Sequence, residues 1–319
     1  AVLPVEAEHQ PVVDQRRLLR RTFADRTGAG YFAGCAGTGI TKRPWHASAF
    51  DLPANASILS TMNQWLVDLL RPASFRGKYR ILSKLHHPPA QASAIIHGWR
   101  MSLDTRDHIQ RMIYFGTYEC LESKMVQNHV RPGSITVDVG ANVGYYTAMF
   151  SKLVGPTGRV VAIEPSQYAF SRLLDFIQTN EITWAEPVNI GLSDVSGELP
   201  LFLAKDSNNH TPSMVTQADA NVIARVPVRR LDDLANERGI TQIDLLKIDV
   251  EGFEPQVLAG APNLLAARAI KAILVEINEY WLRANGSSPN SLRATLSAFG
   301  FKDSTPNANL DTRLFVLNG

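Results

Sequence analysis

The chain has 319 residues, 45% of them hydrophobic and 19% charged, with a net charge of +2. That balance suits a globular chain able to bury a sizeable core, as one large domain or a domain with an extension. It gives no average field for drawing in nucleic acid or an acidic membrane, and basic runs such as Arg16-Arg17 read as solvated helix face.

Residues 1 to about 50 are weakly patterned. Five glycines between Thr27 and Gly39 read as a loop rather than a phosphate cradle, because no hydrophobic strand precedes them and no Gly-Lys-Ser/Thr follows. Over Ser57–Leu70 the apolar residues Ile58, Leu59, Met62, Trp65, Leu66, Leu69 and Leu70 recur at helical spacing. The apolar face of that helix needs a partner, which is the main domain, a second copy of the chain or a substrate. Residues 93–104 read as a short hairpin turning at Gly98, with helices near 105–113 and 119–130. Pro132-Gly133 then punctuates the chain. The division this gives is a loop-rich N-terminal extension over 1–92, helical near 57–71, and a main domain over 93–319.

From Ile135 the pattern becomes strand–helix alternation, which predicts an α/β fold with a doubly wound, mostly parallel sheet. The expected core strands are Ile135–Val139, Arg159–Glu164, Val188–Leu192, Asp244–Asp249 and Ala272–Ile277. Helices are expected at Tyr145–Val154, after Pro165 and over Pro289–Phe299. Leu199–Leu203 and Arg225–Arg230 read as added strands around a long polar loop at 205–224. Two short strands close the chain, the last at Arg313–Leu317.

Ligands of open parallel sheets sit beyond the carboxyl ends of the strands. In this reading those ends carry Asp138, Glu164, Ser193-Asp194, Asp249 and Glu276. So many carboxylates at one edge point to a ligand, because burying them unpaired is costly. The loop Asp138-Val139-Gly140-Ala141-Asn142-Val143-Gly144 has Gly-x-x-x-Gly spacing and no Lys or Arg within 138–146. That argues against a pyrophosphate and for the cationic amino-acid end of S-adenosyl-L-methionine. Gly140 and Gly144 allow close backbone approach, while Glu164 in Ala162-Ile163-Glu164-Pro165 suits a ribose diol. Asn142 fits either the cofactor or a helix cap. Tyr145, Pro165, Ser193, Asp194 and Asp249 complete the candidate cofactor set. A non-catalytic nucleotide-binding protein on the same fold is one competing reading, and an NAD-dependent oxidoreductase on the same sheet is the other. The absent third-position glycine and the lack of a Tyr-x-x-x-Lys pair count against it.

At these residues the sequence resembles the FkbM-type S-adenosylmethionine-dependent methyltransferases. The resemblance is carried by Asp138–Gly144, Ile163-Glu164-Pro165 and above all Leu246-Lys247-Ile248-Asp249-Val250-Glu251-Gly252. Arg230–Leu234, Leu274-Val275-Glu276 and the segment Asp107–Glu119 add to it, and it covers roughly 95–280. It implies a Rossmann-like class I methyltransferase sheet with one antiparallel strand. It also implies methyl transfer to a hydroxyl of a sugar, glycoside or secondary-metabolite acceptor such as a polyketide. Asp249 and Glu251 are then the first candidates to take the hydroxyl proton, with Lys247 as their partner, and His210 in the long loop is a further candidate. Asp249, Glu276 and Asn278 could supply oxygen ligands to a hard cation, but nothing in their spacing demands one. Tyr280 and Trp281 fit either an acceptor ring or the core. Two distant cysteines, Cys35 and Cys120, no apolar run of 18 residues and no apolar signal core fit a cytoplasmic protein without a membrane span.

Overall fold

The computed structural model describes residues 57–73, 75–204, 212–215 and 220–318, with side chains described from Gln64 onward. His210, Cys35 and the glycine-rich stretch of the extension lie outside the described residues. Helix α1 (Ser57–Leu70) and helix α2 (Lys78–Leu85) come first. The hairpin follows as β1 (Gln91–Ile96) and β2 (Trp99–Asp104), pairing Ile96 with Trp99. Its two turn residues, His97 and Gly98, both have positive φ, the twist that a two-residue hairpin turn requires. Helices α3 (His108–Tyr114) and α4 (Cys120–Gln127) lead into the sheet, α3 opening on Asp107, whose carboxylate accepts from Gln110 N at 2.8 Å.

The alternating region runs β3 (Ile135–Val139), α5 (Tyr145–Val154), β4 (Arg159–Ile163), α6 (Gln167–Thr179) and β5 (Ala185–Val188). Then come β6 (Gly191–Leu192), β7 (Gly197–Ala204), β8 (Ala220–Arg229), α7 (Leu231–Glu237) and β9 (Leu245–Ile248). The chain finishes with α8 (Glu254–Ala259), α9 (Pro262–Ala266), β10 (Ala272–Glu276), α10 (Glu279–Ala284), α11 (Pro289–Ala298), β11 (Phe301–Asp303) and β12 (Thr312–Leu317).

Seven strands form one sheet in the order β11-β12-β10-β9-β3-β4-β5. The pairs β3–β4, β4–β5, β3–β9 and β9–β10 are parallel, and β12 runs antiparallel to both neighbours. The α/β expectation therefore holds, with its single antiparallel strand. Side chains alternate between two buried faces. Along β10, Ala272 and Leu274 join the core under α5 and α6, while Ile273 and Val275 join the core under α7 to α11. Val67 of α1 and Leu82 of α2 belong to the first of these cores, so that part of the extension shares it. Trp65 and Leu69, assigned to the buried face of α1, are instead 64% and 56% exposed.

One strand differs from expectation. The run Val188–Leu192 is not a single strand: β5 ends in the main sheet at Val188, and β6 pairs with β8 in a second, three-stranded sheet ordered β6-β8-β7. The long ribbon β7–β8 belongs to that sheet. The helix after β4 also begins later, with Ser166 as its cap and Pro165 outside it. Among the described residues no helix is long and apolar enough to cross a membrane.

Candidate active site

From β3 the chain continues on one side to β4 and β5, and on the other side of β3 lies β9, so strand order reverses between β3 and β9. That switch point is where parallel sheets open a crevice. A cavity lies there, over the carboxyl ends of β3, β4, β9 and β10.

The loop after β3 forms its floor. Gly140 has φ +74, and a Cβ on it would stand 1.9 Å from the Asp249 carbonyl oxygen, so the loops after β3 and β9 meet backbone to backbone. Gly144 does other work. It starts α5 at φ +96 against Leu173 and Phe176, packing the helix on its neighbour rather than facing the cavity. Asn142 is left-handed at φ +50 and does not cap α5. Its N–H donates to Glu164 Oε2 at 2.8 Å, and Ser166 N–H donates to Glu164 Oε1 at 2.8 Å. Glu164 is thus pinned at the end of β4, and burial pushes its carboxyl up to about 7 against those two bonds.

Asp138 does not reach the cavity. Its residue is fully buried beneath the loop, where Oδ2 accepts from Thr147 Oγ1 at 2.7 Å and Oδ1 lies 3.5 Å from Lys247 Nζ. The direct cofactor role expected for it is replaced by a pairing role, because a strand residue points to one face at a depth that its place in the sequence does not reveal. Lys247 is the hub of the site. Its Nζ donates to Gly140 O at 2.8 Å, lies 3.6 Å from Asp249 Oδ2 and stands 5.3 Å from the Tyr146 ring centre. Burial opposes its charge, but Asp249, Asp138, Glu119 and Glu164 outweigh burial and hold the ammonium up at about 12.

Six carboxylates line the cavity, namely Glu119, Glu122, Glu164, Asp249, Glu251 and Glu276, with Lys247 as the lysine among them. Gly140, Asn142, Tyr145 and Pro165 line it too. Tyr145 donates its hydroxyl hydrogen to Tyr118 O at 3.1 Å. Glu251 is left-handed at φ +51, and its carbonyl accepts from Ser213 Oγ at 3.0 Å. The loop carrying Asp249 and Glu251 is shaped from below by Glu254, whose Oε1 accepts from Val250 N at 3.2 Å and Gly252 N at 3.1 Å. The second sheet supplies the outer wall through Leu201, Pro212 and Met214.

Other candidates lie elsewhere. Ser193 and Asp194 follow β6 in the second sheet, hydrogen-bonded to each other at 2.9 Å, with the Ser193 carbonyl packed against Gly260. They miss the cavity because the chain has already left the main sheet at Val188. Asn278 caps α10 through Oδ1 to Tyr280 N and Trp281 N, which accounts for its amide oxygen without a cation. Tyr280 and Trp281 pack edge to face on each other, outside the cavity lining.

Sequence reasoning missed Glu119. It precedes α4 at φ +41 without capping it, and its Oε2 accepts from the Tyr146 hydroxyl. Three of the six non-glycine residues with positive φ among the described residues, Glu119, Asn142 and Glu251, line this one cavity. Such strain gathers at sites whose surroundings fix it.

Residues 138–302 match the family described as the methyltransferase FkbM domain, which is more than half of the chain. The AMB antimetabolite synthetase AmbE of Pseudomonas aeruginosa is 26% identical over 206 residues, covering 54% of this chain and 10% of that protein. The 31-O-demethyl-FK506 methyltransferase FkbM of Streptomyces tacrolimicus is 29% identical over 178 residues, covering 47% and 67%. The hexuronic acid methyltransferase AglP of Haloferax volcanii is 28% identical over 141 residues, covering 44% and 54%. The chain therefore spans a tenth of the length of the first relative and 67% and 54% of the other two. With residues 138–302 matched and their loops gathered around one cavity, the chain belongs to the FkbM methyltransferase family.

Proposed function

We propose that the chain transfers the methyl group of S-adenosyl-L-methionine to a hydroxyl oxygen of a small-molecule acceptor, a sugar or a secondary metabolite. The observation that carries this reading is the cavity lining of six carboxylates around Lys247, above a glycine loop with no basic side chain. Such a lining repels a dinucleotide pyrophosphate and suits a ligand bearing an ammonium and a sulfonium. The seven-stranded order with β12 antiparallel, a class I methyltransferase sheet, is consistent with it.

The residues present fit the cofactor. Glu164, held rigid by two backbone N–H groups, keeps lone pairs for a ribose diol. The Gly140 backbone and Pro165 would border the nucleoside. When bound, S-adenosyl-L-methionine supplies an activated methyl group on a positively charged sulfur. Asp249 and Glu251 line the cavity at the end of β9, and one of them would hold the proton leaving the acceptor hydroxyl. Lys247 Nζ, 3.6 Å from Asp249 Oδ2, orients that carboxylate for the task. The names of the Streptomyces and Haloferax relatives, with 31-O-demethyl-FK506 in one and hexuronic acid in the other, support a hydroxyl-bearing acceptor.

Titration calorimetry with S-adenosyl-L-methionine and with NAD tests the reading. Micromolar binding of the first and none of the second is expected. Binding of NAD alone would overturn it.

A further inference from the structure

If the cavity takes S-adenosyl-L-methionine, as proposed above, the ligand's two ends must fall on opposite sides of the Gly140–Asn142 loop. Glu164, at the end of β4, stands on one side. Asp249 follows β9 on the other, and Glu119 lies within the electrostatic reach of Asp249 and Lys247. Asp249 already shares Lys247, at 3.6 Å. The Lys247 ammonium is further committed to Gly140 O and Asp138. Glu119 forms no ion pair among the described residues, although its carboxylate faces the same cavity. Glu122 and Glu164 also form no ion pair among the described residues, but Glu119 is the one of the three whose carboxyl feels both Lys247 and Asp249.

We propose that Glu119 is the counter-ion of the cofactor's amino group and releases a proton when the cofactor binds. The groups facing it are Glu122 of α4, Tyr118 beside it, Tyr145 and Tyr146 of α5, Lys247 of β9 and Asp249 after β9. Burial comes first among the influences, and the charges of Glu122 and Asp249 add to it. Together they push the Glu119 carboxyl up to about 7 against the Tyr146 hydrogen bond and Lys247. A carboxyl so placed is about half protonated at neutral pH, whereas an ammonium ligand binds its ionised form. Affinity for the cofactor therefore rises as pH rises through about 7, until the ligand's own amino group begins to lose its proton near 8.

The test is calorimetric and needs no acceptor. S-Adenosyl-L-methionine is titrated into the full chain between pH 6 and 8.5, in buffers of differing ionisation enthalpy. 5′-Methylthioadenosine, which keeps the nucleoside but lacks the amino acid, serves as the reference ligand. The expected result is cofactor binding that tightens about fivefold more between pH 6 and pH 7.4 than binding of the reference ligand, which shares any change at Glu164, with proton release. Glu119→Gln, checked for folding by circular dichroism, should bind the cofactor roughly 10- to 100-fold more weakly at pH 7.4 and lose the acid limb, with the reference ligand unchanged. Tyr146→Phe keeps the carboxylate and removes the hydrogen bond, so its acid limb should move to higher pH. Equal losses for both ligands, or survival in Glu119→Gln of an acid limb that the reference ligand does not share, overturn the assignment. Failure of the unsubstituted chain to bind either ligand would instead overturn the cofactor reading itself.

Discussion

Asp138 and Lys247 are register partners on neighbouring parallel strands, and Lys247 Nζ stands 3.5 Å from Asp138 Oδ1 with both residues buried. Removing one member of such a pair strands the other charge in a low-dielectric interior. Asp138→Asn should therefore destabilise the fold by about 3–5 kcal/mol, read from urea unfolding midpoints. A variant that stays fully stable and loses only cofactor binding would contradict the pairing role.

Gly140→Ala forces a Cβ into the Asp249 carbonyl at a backbone angle that disfavours alanine. Neither loop can retreat without moving the end of β3 or β9. The expected outcome is destabilisation on the order of 3 kcal/mol or more, seen as a lower melting temperature. Gly155→Ala, where nothing lies within 4 Å, is the matched control for positive φ alone.

The buried carboxyl of Glu254 sets a pH dependence. Burial raises it from 4.5 to about 8, against the hydrogen bonds from Gly252 and Val250. The folded chain then keeps a proton that the unfolded chain has lost. This contribution to stability is complete below about 4.5 and is lost as pH rises towards about 8, at up to about 1.4 kcal/mol per pH unit. Glu254→Gln, which retains an acceptor for both N–H groups but cannot ionise, should flatten that decline. Denaturation midpoints of the two proteins at acid, neutral and mildly alkaline pH provide the comparison.

Asp249 and Glu251 can be separated by substitution. With a panel of sugars, glycolipids and polyketide alcohols as acceptors and S-adenosylhomocysteine formation as the readout, Asp249→Asn should lower turnover by about 10²–10⁴-fold. Glu251→Gln should have a smaller effect if Asp249 holds the proton, and the larger effect if Glu251 does. Normal turnover in both variants would remove these two residues from proton transfer.

Much of this architecture was legible in the chain. The α5 boundaries, the hairpin turn at Gly98 and the loop between β3 and α5 follow from periodicity and from glycines, which are local signals. The strand-end carboxylates Glu164, Asp249 and Glu276 were legible for the same reason, since strand ends are visible in sequence. What could not be read depends on depth and on pairing across long stretches of chain. Asp138 and Lys247 are 109 residues apart, and only their register shows that the aspartate lies under the loop rather than in the cavity. Val188–Leu192 looks like one apolar run because nothing local says that it serves two sheets. Glu119 had one faint signal, its place in the Tyr-Glu pair before the cofactor loop, and its surroundings emerge only when the fold brings it against Tyr146 of α5 and near Lys247.

The second sheet is inserted between β5 and α7, and among the described residues it touches the cavity through Leu201, Pro212 and Met214, with Ser213 clasping the Glu251 carbonyl. Its core of Leu201, Met214, Val226 and Val228 also takes in Val250 and Phe253, so it is tied to the loop after β9. Substitutions at Leu201 and Pro212, which face the cavity from it, therefore give an evolving lineage, or an engineer, a way to reshape one wall while the Lys247 contacts to Asp138 and Gly140 stay as they are.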